Sequence, residues 1–226
     1  MLDLLYPRRC PVCAEISQGI CKKCTAEIKL ITHPRCYKCG KPVEGEETEY
    51  CEDCNEHHHY FTEGRGLLLY EGKVKESIHR IKYENKREYL DVYAQLMAEN
   101  LGKNVRRWNP QVCIPIPMYS VKKRMRGFNQ AEILAQKLGE MLHIPVDAKV
   151  LQKIKDTSDQ KSLDVRQRKH NIQGAFSVTG DLPYKRILLV DDVYTTGNTI
   201  DAAAKTLLDA GAEEIYFLTI CIGQGN

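Results

Sequence analysis

Two hydrophobic periods alternate along most of the chain. "GLLLYEG" (66–72) is an apolar run of strand length. Residues 73–83 and 87–101 follow with helical spacing, and Leu90, Tyr93, Ala94, Met97 and Leu101 fall on one face. "VCIPIP" (112–117) predicts a short buried strand broken by prolines. Asn129 and Glu132 form a capping box that opens a helix whose apolar face is Ala131, Leu134, Ala135, Leu138 and Leu142. Strand-like "VDAKVL" (146–151) is separated by an irregular polar stretch, 153–171, from strand-like "GAFSV" (174–178) and "RILLV" (186–190). A helix over 199–210 ends before Gly211, and "IYFLTICI" (215–222) closes the pattern as a strand. The predicted class is α/β, a mostly parallel sheet with helices on both faces.

The 226 residues are 42% hydrophobic and 28% charged, the balance of a soluble globular protein of one or two domains. No run approaches eighteen apolar residues and the first ten do not form a secretory signal, so the expectation is a cytoplasmic protein with no direct membrane insertion. A net charge of +3 does not by itself announce nucleic acid.

Cysteine adds a second, smaller unit. Eight of the ten cysteines stand in four C-x-x-C pairs: Cys10/Cys13, Cys21/Cys24, Cys36/Cys39 and Cys51/Cys54. That spacing lets two thiolates meet one tetrahedral ion at about 2.3 Å, so the pairs predict two structural Zn²⁺ sites. A disulfide framework suits an exported chain, and a redox C-x-x-C sits once beside a βαβ unit. Pairing of neighbours makes a double zinc ribbon over 1–56, and crossed pairing stays open. Zinc bound by four thiolates is about −2 in formal charge, which gives Arg8, Arg9, Lys22, Lys23, Arg35 and Lys38 a neutralising role. The histidines His57, His58 and His59 read as a polar connection to a second domain over 57–226. Cys113 and Cys221, between apolar neighbours, read as buried thiols, and Trp108 as packing at a helix end.

The chemistry of the larger unit concentrates in "ILLVDDVYTTGNTI" (187–200). Ligands of open α/β sheets bind beyond the carboxyl ends of central strands, which is where Asp191 and Asp192 fall. Thr195, Thr196, Gly197, Asn198 and Thr199 then lead into a helix N-terminus, a place for phosphate. The pair of carboxylates suits adjacent hydroxyls, so the combination predicts a diol binder beside a phosphate cradle. No G-x-x-x-x-G-K-[ST] is present, and no G-x-G-x-x-G follows a strand.

"LLVDDVYTTGNT" resembles the 5-phosphoribosyl-1-pyrophosphate (PRPP) motif of type I phosphoribosyltransferases. With "KKRMRGFNQAEILA" (122–135) and the four cysteine pairs, nearly the whole chain resembles the ComF family of competence-related proteins. The resemblance implies a phosphoribosyltransferase-like domain, PRPP with Mg²⁺ as ligand, and a part in natural transformation and DNA uptake. Partners would include proteins such as a competence helicase, at the inner face of the membrane. It assigns the ribose hydroxyls to Asp191 and Asp192, and the 5′-phosphate to Thr195, Thr196, Gly197, Asn198 and Thr199. Pyrophosphate falls to the loop with Lys122, Lys123, Arg124 and Arg126, whose dense positive charge suits that anion independently. Asp191, Asp192, Arg124 and Arg126 are then the candidate catalytic residues, and Lys155, Gln160, Arg166, Arg168 and Asn171 a hood over the site. Hypoxanthine-type relatives place a carboxylate where this chain has Thr195, which counts against a purine acceptor.

An alternative of a different class is a non-catalytic adaptor or sensor. "VKKRMR" and "RQRKH" supply charge for single-stranded DNA, with Phe128 and Tyr194 as stacking surfaces.

Overall fold

A computed structural model describes residues 8–156 and 174–223. Its centre is a four-stranded sheet of β1 (Glu63–Leu69), β6 (Glu214–Ile222), β5 (Arg186–Tyr194) and β2 (Val112–Pro115), in that order, all pairs parallel. Parallel neighbours need crossovers, and these are helical. α3 (Gly72–Tyr83) and α4 (Tyr89–Trp108) follow β1, while α5 (Ser120–Arg126) and α6 (Gln130–Leu142) follow β2. α7 (Asn198–Asp209) joins β5 to β6.

Both faces are covered. Val74, Ile78 and Ile81 of α3, the stripe Leu90, Tyr93, Ala94, Met97, Leu101 of α4 and Leu134, Ala135, Leu138 of α6 pack on one face against Leu188, Val190 and Leu218. On the other, Ile200, Ala203, Ala204 and Leu207 of α7 meet Ile187, Leu189 and Phe217, beside an antiparallel ribbon of β3 (Leu151–Lys153) and β4 (Phe176–Val178). α4 runs about two turns beyond the predicted end. Val105 and Trp108 continue its stripe past the charged Arg106 and Arg107, and Asn109 in the left-handed conformation stops it before Pro110. Trp108 stacks on Tyr216 and donates its indole N–H to Glu63 at 2.9 Å, while Arg65 and Arg107 pair with the same carboxylate. Among the described residues no helix is long and apolar enough to cross a membrane.

The cysteine-rich segment contributes α1 (Lys22–Glu27) and α2 (Glu52–Glu56). It is joined to the sheet by backbone pairing. Leu30 lies antiparallel to Leu68, Ile31 N–H donates to Leu67 O at 2.9 Å, and Gly64 N–H donates to Lys38 O at 2.7 Å.

Candidate functional site at the carboxyl end of β5

β5 does not stop at Val190. It continues through Asp191 and Asp192 to Tyr194, so the two carboxylates point to opposite sides of the sheet. Asp192 turns toward α3 and α6 and is 4% exposed. Lys82 Nζ lies 2.5 Å from its Oδ2, and Gln130 Nε2 donates to its Oδ1 at 3.3 Å. Burial works against both charges. The ion pair outweighs it, holding the Asp192 carboxyl below its ordinary range and the Lys82 ammonium above its own. Asp191 is half-buried and accepts the Asp192 N–H at 2.8 Å. Burial, then the neighbouring Asp192 carboxylate, push its carboxyl well above the usual range. Lys153 of β3 stands on its side of the sheet, its ammonium drawn down by burial and by Lys122.

In R-G-F-N-Q (126–130) each residue has a separate task. Gly127 ends α5 with φ +82°, a conformation that β-carbons resist. Phe128 turns into the core, its ring under the Arg87 guanidinium at 4.3 Å. Asn129 caps α6 through the Ala131 N–H and donates to Ile116 O at 3.0 Å, tying the helix to the end of β2. Glu132 does not complete the capping box, because Lys123 takes its carboxylate at 2.6 Å. Gln130 reaches Asp192, and Arg126 Nη1 donates to Gln130 Oε1 at 2.7 Å. Arg126 therefore meets the acidic pair through Gln130, Lys122 pairs with Asp156 at 3.1 Å, and Arg124 is exposed. Of the expected hood, Lys155 is exposed, while Gln160, Arg166, Arg168 and Asn171 lie outside the described residues.

The threonine loop follows directly. Thr195 and Thr196 are exposed, and Asn198 and Thr199 are half-buried at the start of α7. Gly197 is the N-cap, with φ +75°, and a β-carbon there would stand 2.6 Å from the Tyr194 hydroxyl oxygen. Having no side chain, it leaves the first-turn amides open to an anion. Tyr194 is buried, stacked on Phe217 at 4.8 Å with Phe61 edge-on at 6.1 Å. Neither Phe128 nor Tyr194 is a stacking surface for single-stranded DNA, because the α5–α6 turn buries the first ring in the core and Phe217 and Phe61 enclose the second.

The eight paired cysteines gather in two groups, Cys10, Cys13, Cys21, Cys24 and Cys36, Cys39, Cys51, Cys54, with ligand atoms within 4.8 Å of one another in each. Neighbouring pairs therefore join and crossed pairing is excluded. Zinc fits this donor set: Zn–S bonds of about 2.3 Å imply sulfur separations of about 3.8 Å in a tetrahedron. Cys13 and Cys21 are 3.7 Å apart, Cys39 and Cys51 3.6 Å. Two of the basic residues beside the ligands also make structural contacts. Arg9 donates to Ala14 O at 2.9 Å, and Lys38 lies over the Phe61 ring. The second group is part of the sheet's core, Cys36 and Cys39 packing with Phe61, Phe217 and Ile31, whereas the first forms a small core with Val12.

Two residues of the site were not anticipated. Lys82 follows Val74 and Ile78 at helical spacing, and a lysine on that stripe was the available signal. His59, read as part of a polar connection, is 4% exposed. Its Nδ1 lies 2.5 Å from Asp201 Oδ2 in the first turn of α7 and its Nε2 3.6 Å from Asp53 Oδ2, so it bridges the second cysteine group to α7. Cys113 and Cys221 are buried, and burial pushes the Cys113 thiol up to about 12.

Family comparison agrees with this layout. A double zinc ribbon domain model matches residues 1–55 and a phosphoribosyl transferase domain model residues 85–225. The chain is 31% identical over 203 residues to competence protein F of Haemophilus influenzae, covering 87% of each. It is 29% identical to competence protein ComFC of Bacillus subtilis, over 86% of this chain and 80% of that one. With the DNA utilization protein YhgH of Escherichia coli K12 the identity is 26%, over 90% of each chain. Two four-cysteine groups ahead of a parallel sheet that ends in D-D-V-Y-T-T-G-N-T make the chain a member of the ComF family, in which a double zinc ribbon precedes a phosphoribosyltransferase domain.

Proposed function

We propose that the chain binds PRPP together with Mg²⁺ at the carboxyl end of β5 and acts in the cytoplasm in DNA uptake. Relatives named for competence and for DNA utilization support the second part. The observation that carries the first is one continuous segment, in which Asp191 leaves the strand half-exposed and Gly197 turns the chain into an uncapped helix N-terminus three residues after Tyr194.

Asp191 accepts a hydrogen bond from a ribose hydroxyl, and Thr195 to Thr199 receive the 5′-phosphate through hydroxyls and first-turn amides. α5 lies on the pyrophosphate side, with Arg124 exposed and Arg126 one residue from the acidic pair. Mg²⁺ fits here, since it takes one or two carboxylates with substrate oxygens, and it would neutralise the leaving pyrophosphate. With an acceptor present, the reaction is displacement of pyrophosphate at the anomeric carbon, Asp191 steadying the ribose as positive charge develops on it.

Calorimetry with PRPP, with and without Mg²⁺, tests the binding. The wild type should bind and Asp191→Asn/Asp192→Asn should not, while keeping its zinc; equal binding by the double variant sinks the reading. Pyrophosphate release with a panel of amine and base acceptors tests turnover. No release with any acceptor leaves a PRPP sensor in place of an enzyme.

A further inference from the structure

The two aspartates have unequal surroundings, and the inequality originates outside the motif. Four contacts close a ring around Asp192. Lys82 meets its carboxylate at 2.5 Å, Gln130 donates to it at 3.3 Å, and Arg126 donates to Gln130 at 2.7 Å. The Arg126 guanidinium then lies 5.4 Å from the ring of Tyr83, the residue after Lys82. The last turn of α3 thus grips the acidic pair with one side chain and the basic helix with the next. Among the described residues Asp191 has no such ion pair, and its charge bears on Lys153 across the site.

We infer that Lys82 is a positioning residue of this site: it locks Asp192 as the inward, anionic half of the pair, so that Asp191 alone meets the ligand. The inference rests on the ribose-phosphate reading for its ligand, and on the Lys82–Asp192 contact for its electrostatics. Two adjacent carboxylates with no internal cation cannot both stay ionised in a buried site. Lys82 provides that cation from within the chain, and Gln130 passes the constraint to Arg126. Among the described residues the other titratable groups facing Asp192 are Asp191 beside it, Cys221 of β6, whose Sγ lies 3.6 Å from Asp192 O, and Tyr70 after β1. Burial pushes the last two up, so they stay neutral and cannot replace Lys82.

The test follows the aspartate carboxyls directly. ¹³C NMR of aspartate-labelled protein, assigned with Asp191→Asn and Asp192→Asn, should show Asp192 titrating below and Asp191 above the ordinary range. In Lys82→Met the higher of the two titrations moves further up, and in Lys82→Arg it returns. Lys82→Gln keeps a donor to Asp192 and serves as a second neutral variant if Lys82→Met does not fold. Calorimetry with PRPP and Mg²⁺ across pH supplies the ligand arm. Affinity should rise with pH to a midpoint that moves up in the neutral variants, with about a tenfold loss for each unit below it. A lysine that merely stabilises the fold would lower the melting temperature and leave the carboxyl titrations in place, and unchanged titrations in both neutral variants overturn the inference. If the titrations shift as stated while the wild type binds no PRPP, the lock stands and the ligand reading falls.

Discussion

Asp191→Asn and Asp192→Asn should move stability in opposite directions although the residues are adjacent and the substitution is the same. Asp192 is a depressed carboxyl. Its contribution is present above the unfolded-state pKa and is lost as pH falls through the folded value, so at neutral pH it is in full force. Replacing it leaves Lys82, 22% exposed along its side chain, without its partner. Breaking a buried pair costs about 3–5 kcal/mol, and because the Lys82 ammonium has a partial route to water the lower end applies. At about 2–4 °C per kcal/mol for a chain of this size, Asp192→Asn should melt about 6–12 °C lower. Asp191 is the reverse case. Its carboxyl is raised, so its stabilising contribution is present below the unfolded-state pKa and is lost as pH rises toward the folded one. Asparagine retains an oxygen for the Asp192 N–H and removes the charge, so Asp191→Asn should melt higher than wild type, by a margin that grows as pH rises above the unfolded-state value toward the raised folded one. Melting followed by circular dichroism across that range reads both. Shifts of the same sign, or an Asp191→Asn protein less stable than wild type at the alkaline end, refute the division.

Three further outcomes follow from the packing. Gly197→Ala must hold a left-handed conformation costing about 1–2 kcal/mol, with its β-carbon against a Tyr194 hydroxyl that Phe217 and Phe61 hold in place. It should melt at least about 2 °C lower and lose binding of inorganic phosphate in calorimetry. His59→Ala strips Asp201 of its buried partner at a cost of about 1–3 kcal/mol, while metal analysis should still return two zinc per chain. Cys10→Ser and Cys39→Ser should each bring that value to one, but only Cys39→Ser should lower the main unfolding transition, since its group alone lies in the sheet's core. Equal melting of the two argues against that placement.

Much of this was legible in the sequence, for identifiable reasons. Strands buried on both faces read as solid apolar runs, and "RILLV" and "IYFLTICI" became the two central strands. The C-x-x-C pairs state their chemistry in their spacing. What escaped was whatever tertiary contact decides. Asp191 and Asp192 read as the end of a strand because their charge masks a ladder that runs to Tyr194 beside Cys221 and Ile222. Three consecutive histidines look alike on paper, and only the approach of α2 to α7 makes His59 a buried bridge. Tyr194 shows an aromatic beside the threonine loop with no sign that Phe217, twenty-three positions later, will stack on it. Lys82 left a trace, a charge on an apolar stripe, but its partner is more than a hundred residues away.

The antiparallel contact of Leu30 with Leu68 has a consequence for any attempt to divide the chain. β1 is the outer strand of the sheet, and a strand with free amides and carbonyls along one side templates pairing with another molecule. Residues 29–31 and the carbonyl of Lys38 cover that side. A fragment beginning at residue 57 would keep the whole motif from Asp191 to Thr199 and still expose the row from Gly64 to Leu69, a template on which another strand should pair. The zinc ribbon thus occupies the one hydrogen-bonding edge that the β1 side of the sheet would otherwise offer.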